Sequence, residues 1–309
     1  MITSVFRKSS PFNYTIVVFL TLAFFLLVQF KQGIWHNSSL TIGTSIGIIV
    51  LVFASLFITN FIVKKNGLTK SSSFSILFFT LFLLFFPTVL TNFKFVISNF
   101  FVLLAMRRLI SLQTLKAPKE KIFDASLWIF VASLFHFWAI LYIVLVYISI
   151  FFHVSRDYRN WLIPFVSLFV TAVIYSFTAL VVERQFIDNL TNLPVVNFRM
   201  DYFKNTNENL ALSMYAVVAV FFVFSKIISL TNRPLVLQAS YKKIIIAFVI
   251  GVVIFLISPN KSNDLLIFTF FPLAVMATNN IEYSKNKINQ ELVLGITIIL
   301  VFVSFFLQL

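Results

Sequence analysis

Eleven apolar stretches, separated by short polar loops, run along almost the whole chain. They fall at 14–30, 40–62, 73–91, 95–106, 123–136, 138–153, 161–181, 210–230, 243–258, 264–278 and 292–309. A bilayer's hydrocarbon core is about 30 Å thick, so a spanning helix needs about 20 apolar residues. In lipid each segment must satisfy its own backbone groups, and none of these stretches alternates as an outer-membrane strand does. The pattern predicts an all-α fold: a polytopic transmembrane bundle of about eleven helices, some short or re-entrant. Residues 1–309 form a single integral membrane domain, because the loops are too short to fold alone. The longest loop is 182–209.

Two stretches strain this scheme. Residues 95–106 make only about 18 Å of helix at 1.5 Å per residue, which suits a re-entrant piece or a short shielded helix. Residues 123–153 read as one long tilted helix or as a hairpin of two short ones, turning near His136-Phe137-Trp138. Irregular backbone at membrane depth requires cover from protein or a watery cavity.

Charge favours the hairpin. With the N-terminus in the cytoplasm, eighteen of the 24 Lys and Arg fall inside. The six outside are Lys31, Lys94, Arg184, Arg199, Lys204 and Lys261. The ten acids divide evenly between the two sides, so basic residues alone carry the asymmetry, as the positive-inside rule expects. A single helix over 123–153 would carry Arg156, Arg159 and the basic 226–243 loop outside. Eleven crossings place the C-terminus on the extracytoplasmic side. The first stretch, preceded by Arg7 and Lys8, has no small-x-small cleavage site after it and is expected to stay as a helix.

Composition narrows the chemistry. Hydrophobic residues make up 60% of the chain, mean hydropathy is +0.99 and 11% of residues are charged, which is too apolar for a water-soluble domain. There is no Cys, which removes disulfides, thiolate metal sites and cysteine nucleophiles. Three His are too few for a membrane di-iron site. No glycine-rich phosphate loop or metal cluster is present, so no cofactor and no metal are expected. The net charge of +14 is spread between apolar spans rather than along a soluble face, so it points to orientation and anionic lipid, not to nucleic acid.

A few polar groups stand out. The 182–209 loop interleaves Glu183, Arg184, Asp188, Arg199, Asp201 and Lys204 with Phe186, Phe198, Tyr202 and Phe203, a mixture suited to a sugar or phosphate headgroup at the bilayer surface, or to a solvated connector. In the loop SPNKSND, Lys261 is a candidate for a lipid phosphate. Asp264 is either a candidate base or a helix-start acid favoured by the dipole. His136 lies in an apolar run, where it is a functional group or a neutral residue bonded to nearby backbone. The basic loop 107–124 is a topogenic anchor or a seat for an anionic headgroup.

The segments ITSVFRKSSPFN, KIFDASLWIFVASLFHFWAILYIVLVYISIFFHVSRDYRNWLIPF and ISPNKSNDLLIFTFFPLA resemble an uncharacterised, flavobacterial-type family of multi-pass membrane proteins. That resemblance spans most of the chain and implies a bacterial inner (cytoplasmic) membrane, with membrane lipids as partners. A local stretch of about 45 residues, from Arg107 and Arg108 through Ala132 to His136, is similar to exopolysaccharide and O-antigen polymerases. Phe137 stands where a Ser often follows that His. The likeness implies a membrane glycosyltransferase acting on a polyprenyl-linked saccharide at the outer face. His136, Asp201 or Asp264 would then be the catalytic base, with Arg199, Lys261 and Arg184 holding substrate phosphates. Two other readings stay open: a non-enzymatic scaffold or subunit among other envelope proteins, and a lipid or small-solute carrier.

Overall fold

Two of the apolar stretches are buried on every side, and the others surround them. The computed structural model describes residues 2–31, 39–182, 196, 198, 205–259 and 261–309. Its helices are α1 (Ile2–Phe6), α2 (Pro11–Lys31), α3 (Ser39–Lys65), α4 (Phe74–Leu84), α5 (Phe93–Ser111) and α6 (Pro118–Phe135). They continue as α7 (Ile143–His153), α8 (Arg159–Val182), α9 (Thr206–Ser229), α10 (Leu235–Ile257), α11 (Ile267–Tyr283) and α12 (Lys287–Gln308). Among the described residues, eight helices are long and apolar enough to cross a bilayer, with Phe74–Leu84 and Phe137–His153 as shorter apolar pieces. The protein is a multi-pass membrane protein of the all-α class.

All residues of α4 are buried. The span containing α11 is 94% buried, against 22% for that of α8 and 28% for those of α2 and α12. α4 and α11 pack together at the centre, with α3, α5, α9 and α10 against them. Phe78, Phe82, Phe85 and Phe86 meet Tyr215, Phe222 and Phe270, mostly edge to face. Lipid tails are as apolar as these rings, so the association rests on packing rather than on expulsion of water. Each well-oriented aromatic pair adds about 0.5–1.5 kcal/mol. The outer helices turn other Phe side chains to the lipid, among them Phe165, Phe169 and Phe177 of α8.

α4 ends early for a local reason. Pro87 lacks an N–H and its ring clashes with the preceding turn, so the helix stops and Phe86 leaves the helical region (φ −131°, ψ 87°). A 3-10 turn, Pro87–Thr91, follows. The freed Phe85 carbonyl accepts hydrogen bonds from Ser304 Oγ (2.9 Å) and Gln308 Nε2 (2.7 Å) of α12. An interrupted helix is thus made tolerable at membrane depth by its neighbour.

The short stretch 95–106 corresponds to a complete helix. α5 runs Phe93–Ser111, past Arg107 and Arg108. Sequence reading ended the stretch at those charges, but long cationic side chains leave the apolar zone by extending along it. Arg107 lies over the Phe61 ring, 4.8 Å from its centroid, and Arg108 pairs with Asp124 at 2.6 Å. Residues 123–153 form the hairpin. α6 stops at Phe135, His136 is extended (φ −140°, ψ 107°), and a 3-10 turn, Phe137–Tyr142, leads into α7. Lys119 and Asp157 meet at 3.3 Å, joining the hairpin's two far ends.

The loops gather at two ends. At one, Thr3 N–H donates to Glu291 (3.1 Å), Lys70 N–H to Glu282 (2.7 Å), Gln113 to the Asn66 carbonyl (3.1 Å) and Ser240 to Gln113 (2.9 Å). At the other, Gln29 donates to the Leu90 carbonyl (3.2 Å), Asn263 to the Glu208 carbonyl (3.2 Å) and Asn207 to the Leu307 carbonyl (2.8 Å). The two chain termini therefore lie at opposite ends.

Candidate functional site

The second end collects three 3-10 turns, Pro87–Thr91, Phe137–Tyr142 and Asn263–Leu266, each interrupting or opening an apolar stretch. The turns Pro87–Thr91 and Asn263–Leu266 touch, and Phe137–Tyr142 packs on α10 and α5. Asp264 is buried between the first two. Thr88 Oγ1 donates to Oδ1 and Asn92 Nδ2 to Oδ2, the latter at 3.3 Å. Both carboxylate oxygens therefore face donors on the neighbouring turn. This is a latch between turns that are 176 residues apart in sequence.

His136 occupies the corner of the α6–α7 hairpin. Its ring meets Phe95 edge-on at 5.2 Å and stacks on Phe268 at 5.7 Å. Its Nε2 lies 3.4 Å from Ser258 Oγ, on the loop after α10. The ring is mostly enclosed by these aromatic neighbours. A neutral imidazole has one nitrogen able to accept a proton. Beside it is a cavity of about 200 Å³ lined by Phe95, Phe135, His136, Phe137, Trp138, Ser258 and Pro259. The Trp138 indole N–H is buried without a hydrogen-bond partner. The cavity thus offers aromatic faces, a hydroxyl and an imidazole.

Of the candidates read from sequence, the structure places His136, Lys261 and Asp264 at this end. Lys261 is partly buried on the loop between Pro259 and Asn263. Arg184, Arg199 and Asp201 lie outside the described residues. Sequence reading passed over Ser258, Trp138, Thr88 and Asn92. Only their spatial neighbours mark them, since each looks like an ordinary loop or interfacial residue. Among the described residues, no three His, Asp or Glu side chains stand close enough to share a metal ion.

The first end carries a polar group that sequence reading also passed over. Glu282 accepts from the Lys70 N–H and from Ser72 Oγ (2.5 Å). Lys226 is 2% exposed, with its Nζ 3.1 Å from the centroid of the Tyr241 ring. Tyr241 donates to the Leu68 carbonyl at 2.6 Å, tying α10 to the loop before α4. Arg233 lies over the Tyr283 ring at 3.3 Å. Each cation faces an aromatic ring, an attraction that strengthens where water is excluded.

A protein-family profile matches residues 4–309, and its description is a family of unknown function, DUF6427. The chain belongs to that family. The match covers all but three residues of the 309 and carries no activity with it. No curated protein matches the chain. No solved structure matches it either.

Proposed function

We propose that this protein sits in a bacterial inner membrane and handles a polyprenyl-linked saccharide at its extracytoplasmic end, in the cavity beside His136. The observation that carries the reading is the cavity's lining: four aromatic side chains, Trp138 among them, and a His whose Nε2 faces a hydroxyl. Sugars bind through just such pairings of ring faces with a few placed donors. In a glycosyl transfer, His136 would take the proton from an acceptor hydroxyl as that oxygen attacks the anomeric carbon. The bond from that carbon to the lipid pyrophosphate would break, leaving its electrons on the phosphate oxygen. Lys261, on the same loop as Ser258, supplies a positive charge for that leaving group. Asp264 serves better as a latch than as a base, because both its oxygens are already engaged.

Replacing His136 by Ala should lower binding of a polyprenyl diphosphate sugar by at least about tenfold, the cost of a buried polar contact and the ring packing it loses. Trp138→Ala removes one of the ring faces and should weaken binding a few-fold. Surface polysaccharide should fall with His136→Ala. If that variant reaches wild-type protein levels with sugar binding and polysaccharide both unchanged, the reading fails. A scaffold would show that result together with co-purifying partners.

The orientation rests on the eighteen-to-six split of basic residues. The absence of Cys allows a clean check with single introduced thiols. Thr206→Cys should react with a membrane-impermeant maleimide on intact spheroplasts, and Ser155→Cys only after lysis. The reverse pattern would turn the protein over and remove the outer-face assignment.

A further inference from the structure

We infer that the opposite end holds a binding site for the phosphate of an anionic lipid headgroup, formed by Lys65, Arg107, Lys116 and Lys121 around Phe61. This inference is independent of the reading of the His136 cavity. The site is a cavity of about 330 Å³ where the C-termini of α3 and α5 meet the α5–α6 loop. Five cations line it, counting Arg108. Among the described residues, only Arg108 of the five is paired with a carboxylate, that of Asp124. Glu120, in the first turn of α6, does not line the cavity, and Lys119 is paired away from it with Asp157.

The cations are held in place rather than spread by their mutual repulsion. Lys65 Nζ and Arg107 Cζ lie over the same Phe61 ring, at 5.0 and 4.8 Å from its centroid. Lys121 Nζ donates to the Ser111 carbonyl and to Thr114 Oγ1, both at 2.8 Å. An ammonium has three protons, so one remains for a ligand. Leu115 and Ala117 both adopt left-handed backbone (φ 54° and 45°), a conformation unusual for non-glycine residues. Lys116 is carried between them. Four uncompensated positive charges collected in one cavity repel each other, and a bound phosphate removes that repulsion while accepting their hydrogen bonds.

A lipid is the source that the surroundings favour. Phe61 is 40% exposed at the rim, and Phe57, Val50 and Ile46 continue the exposed side of α3 away from it. Acyl chains can lie along that side while the headgroup enters the cavity. A basic pocket between helices at the membrane surface is the expected form of such a site.

The test is native mass spectrometry of the full chain in detergent, titrated separately with phosphatidylglycerol, phosphatidylcholine and soluble glycerol 3-phosphate. One phosphatidylglycerol should bind in clear preference to phosphatidylcholine. Arg107→Gln with Lys116→Gln should weaken it about tenfold or more, whereas Arg156→Gln with Arg159→Gln, equally basic but outside the cavity, should not. Lys121 is left intact because it also closes the α5–α6 loop. Equal loss in both double variants, or no preference for the anionic lipid, would overturn the site. Saturable binding of glycerol 3-phosphate without lipid preference would overturn the lipid as its source.

Discussion

Gly251→Leu is expected to separate α10 from α11 and to lower stability by more than the 1–3 kcal/mol usual for an overpacked core. The reason is a backbone contact. A Cβ at position 251 would lie 2.7 Å from Thr269 Cγ2, 3.1 Å from the Phe268 carbonyl carbon and 3.2 Å from its oxygen. Thr269 cannot swing away freely, because its hydroxyl bonds Leu266 O (2.5 Å) and Tyr215 (2.6 Å). The Phe268 backbone belongs to the buried central helix and has no room to move. Ala247, one turn earlier on α10, is also buried. Small residues one turn apart let two membrane helices approach closely. Tyr142 fastens the same seam, its hydroxyl lying 2.9 Å from Phe268 O and 3.2 Å from Ala247 O. Gly251→Ala should cost about 1–3 kcal/mol. Gly295→Ala, where a Cβ meets nothing within 4 Å, should be neutral or gain about 0.5–1 kcal/mol of helix propensity. Thermal unfolding in detergent, followed by size-exclusion chromatography of the remaining monomer, would rank the three. Equal melting temperatures for Gly251→Leu and wild type would show that the seam is not closed in this way.

Asp264→Ala is expected to be the second most damaging change, at about 3 kcal/mol. It removes two hydrogen bonds to a buried carboxyl, each worth about 1 kcal/mol, and strands the Thr88 and Asn92 donors at about 1–3 kcal/mol more. Asp264→Asn should cost less, because an amide oxygen still accepts from Thr88. The latch also predicts coupling: Thr88→Val should lose most of its own effect in an Asp264→Ala background. A double-mutant cycle in denaturant unfolding measures this directly. If the two effects simply add, the turns are not joined through Asp264. If Asp264→Asn instead abolishes sugar transfer at unchanged stability, the carboxylate is a base after all.

These two residues mark the boundary of what sequence reveals here. The helical bundle follows from local pattern, and the hairpin turning near His136-Phe137-Trp138 from the spread of Lys and Arg over the loops. Lipid forces each apolar run to close its own hydrogen bonds, so segment and secondary structure coincide. The end of α5 was misplaced for the one reason such reading fails locally: Arg107 and Arg108 stay helical while reaching past the apolar zone. Among the residues lining the candidate cavity, His136 stands out in the sequence because an ionisable group in an apolar run is conspicuous. Ser258 was not, because a loop Ser says nothing of an imidazole 122 residues away.

Burial was decided by tertiary structure alone. FSILFFTLFLL of α4 and LIPFVSLFVTAV of α8 are both strongly apolar, yet the first is wholly enclosed while the second presents Phe165 and Phe169 to lipid. In water, a side chain's polarity separates inside from outside. In a bilayer the solvent matches the core, so the same residue satisfies either place, and the choice passes to shape. Sequence by itself determined which segments are apolar helices. A glycine that admits a backbone, a proline that stops a helix, and a few polar contacts between distant turns decided which segments lie at the centre.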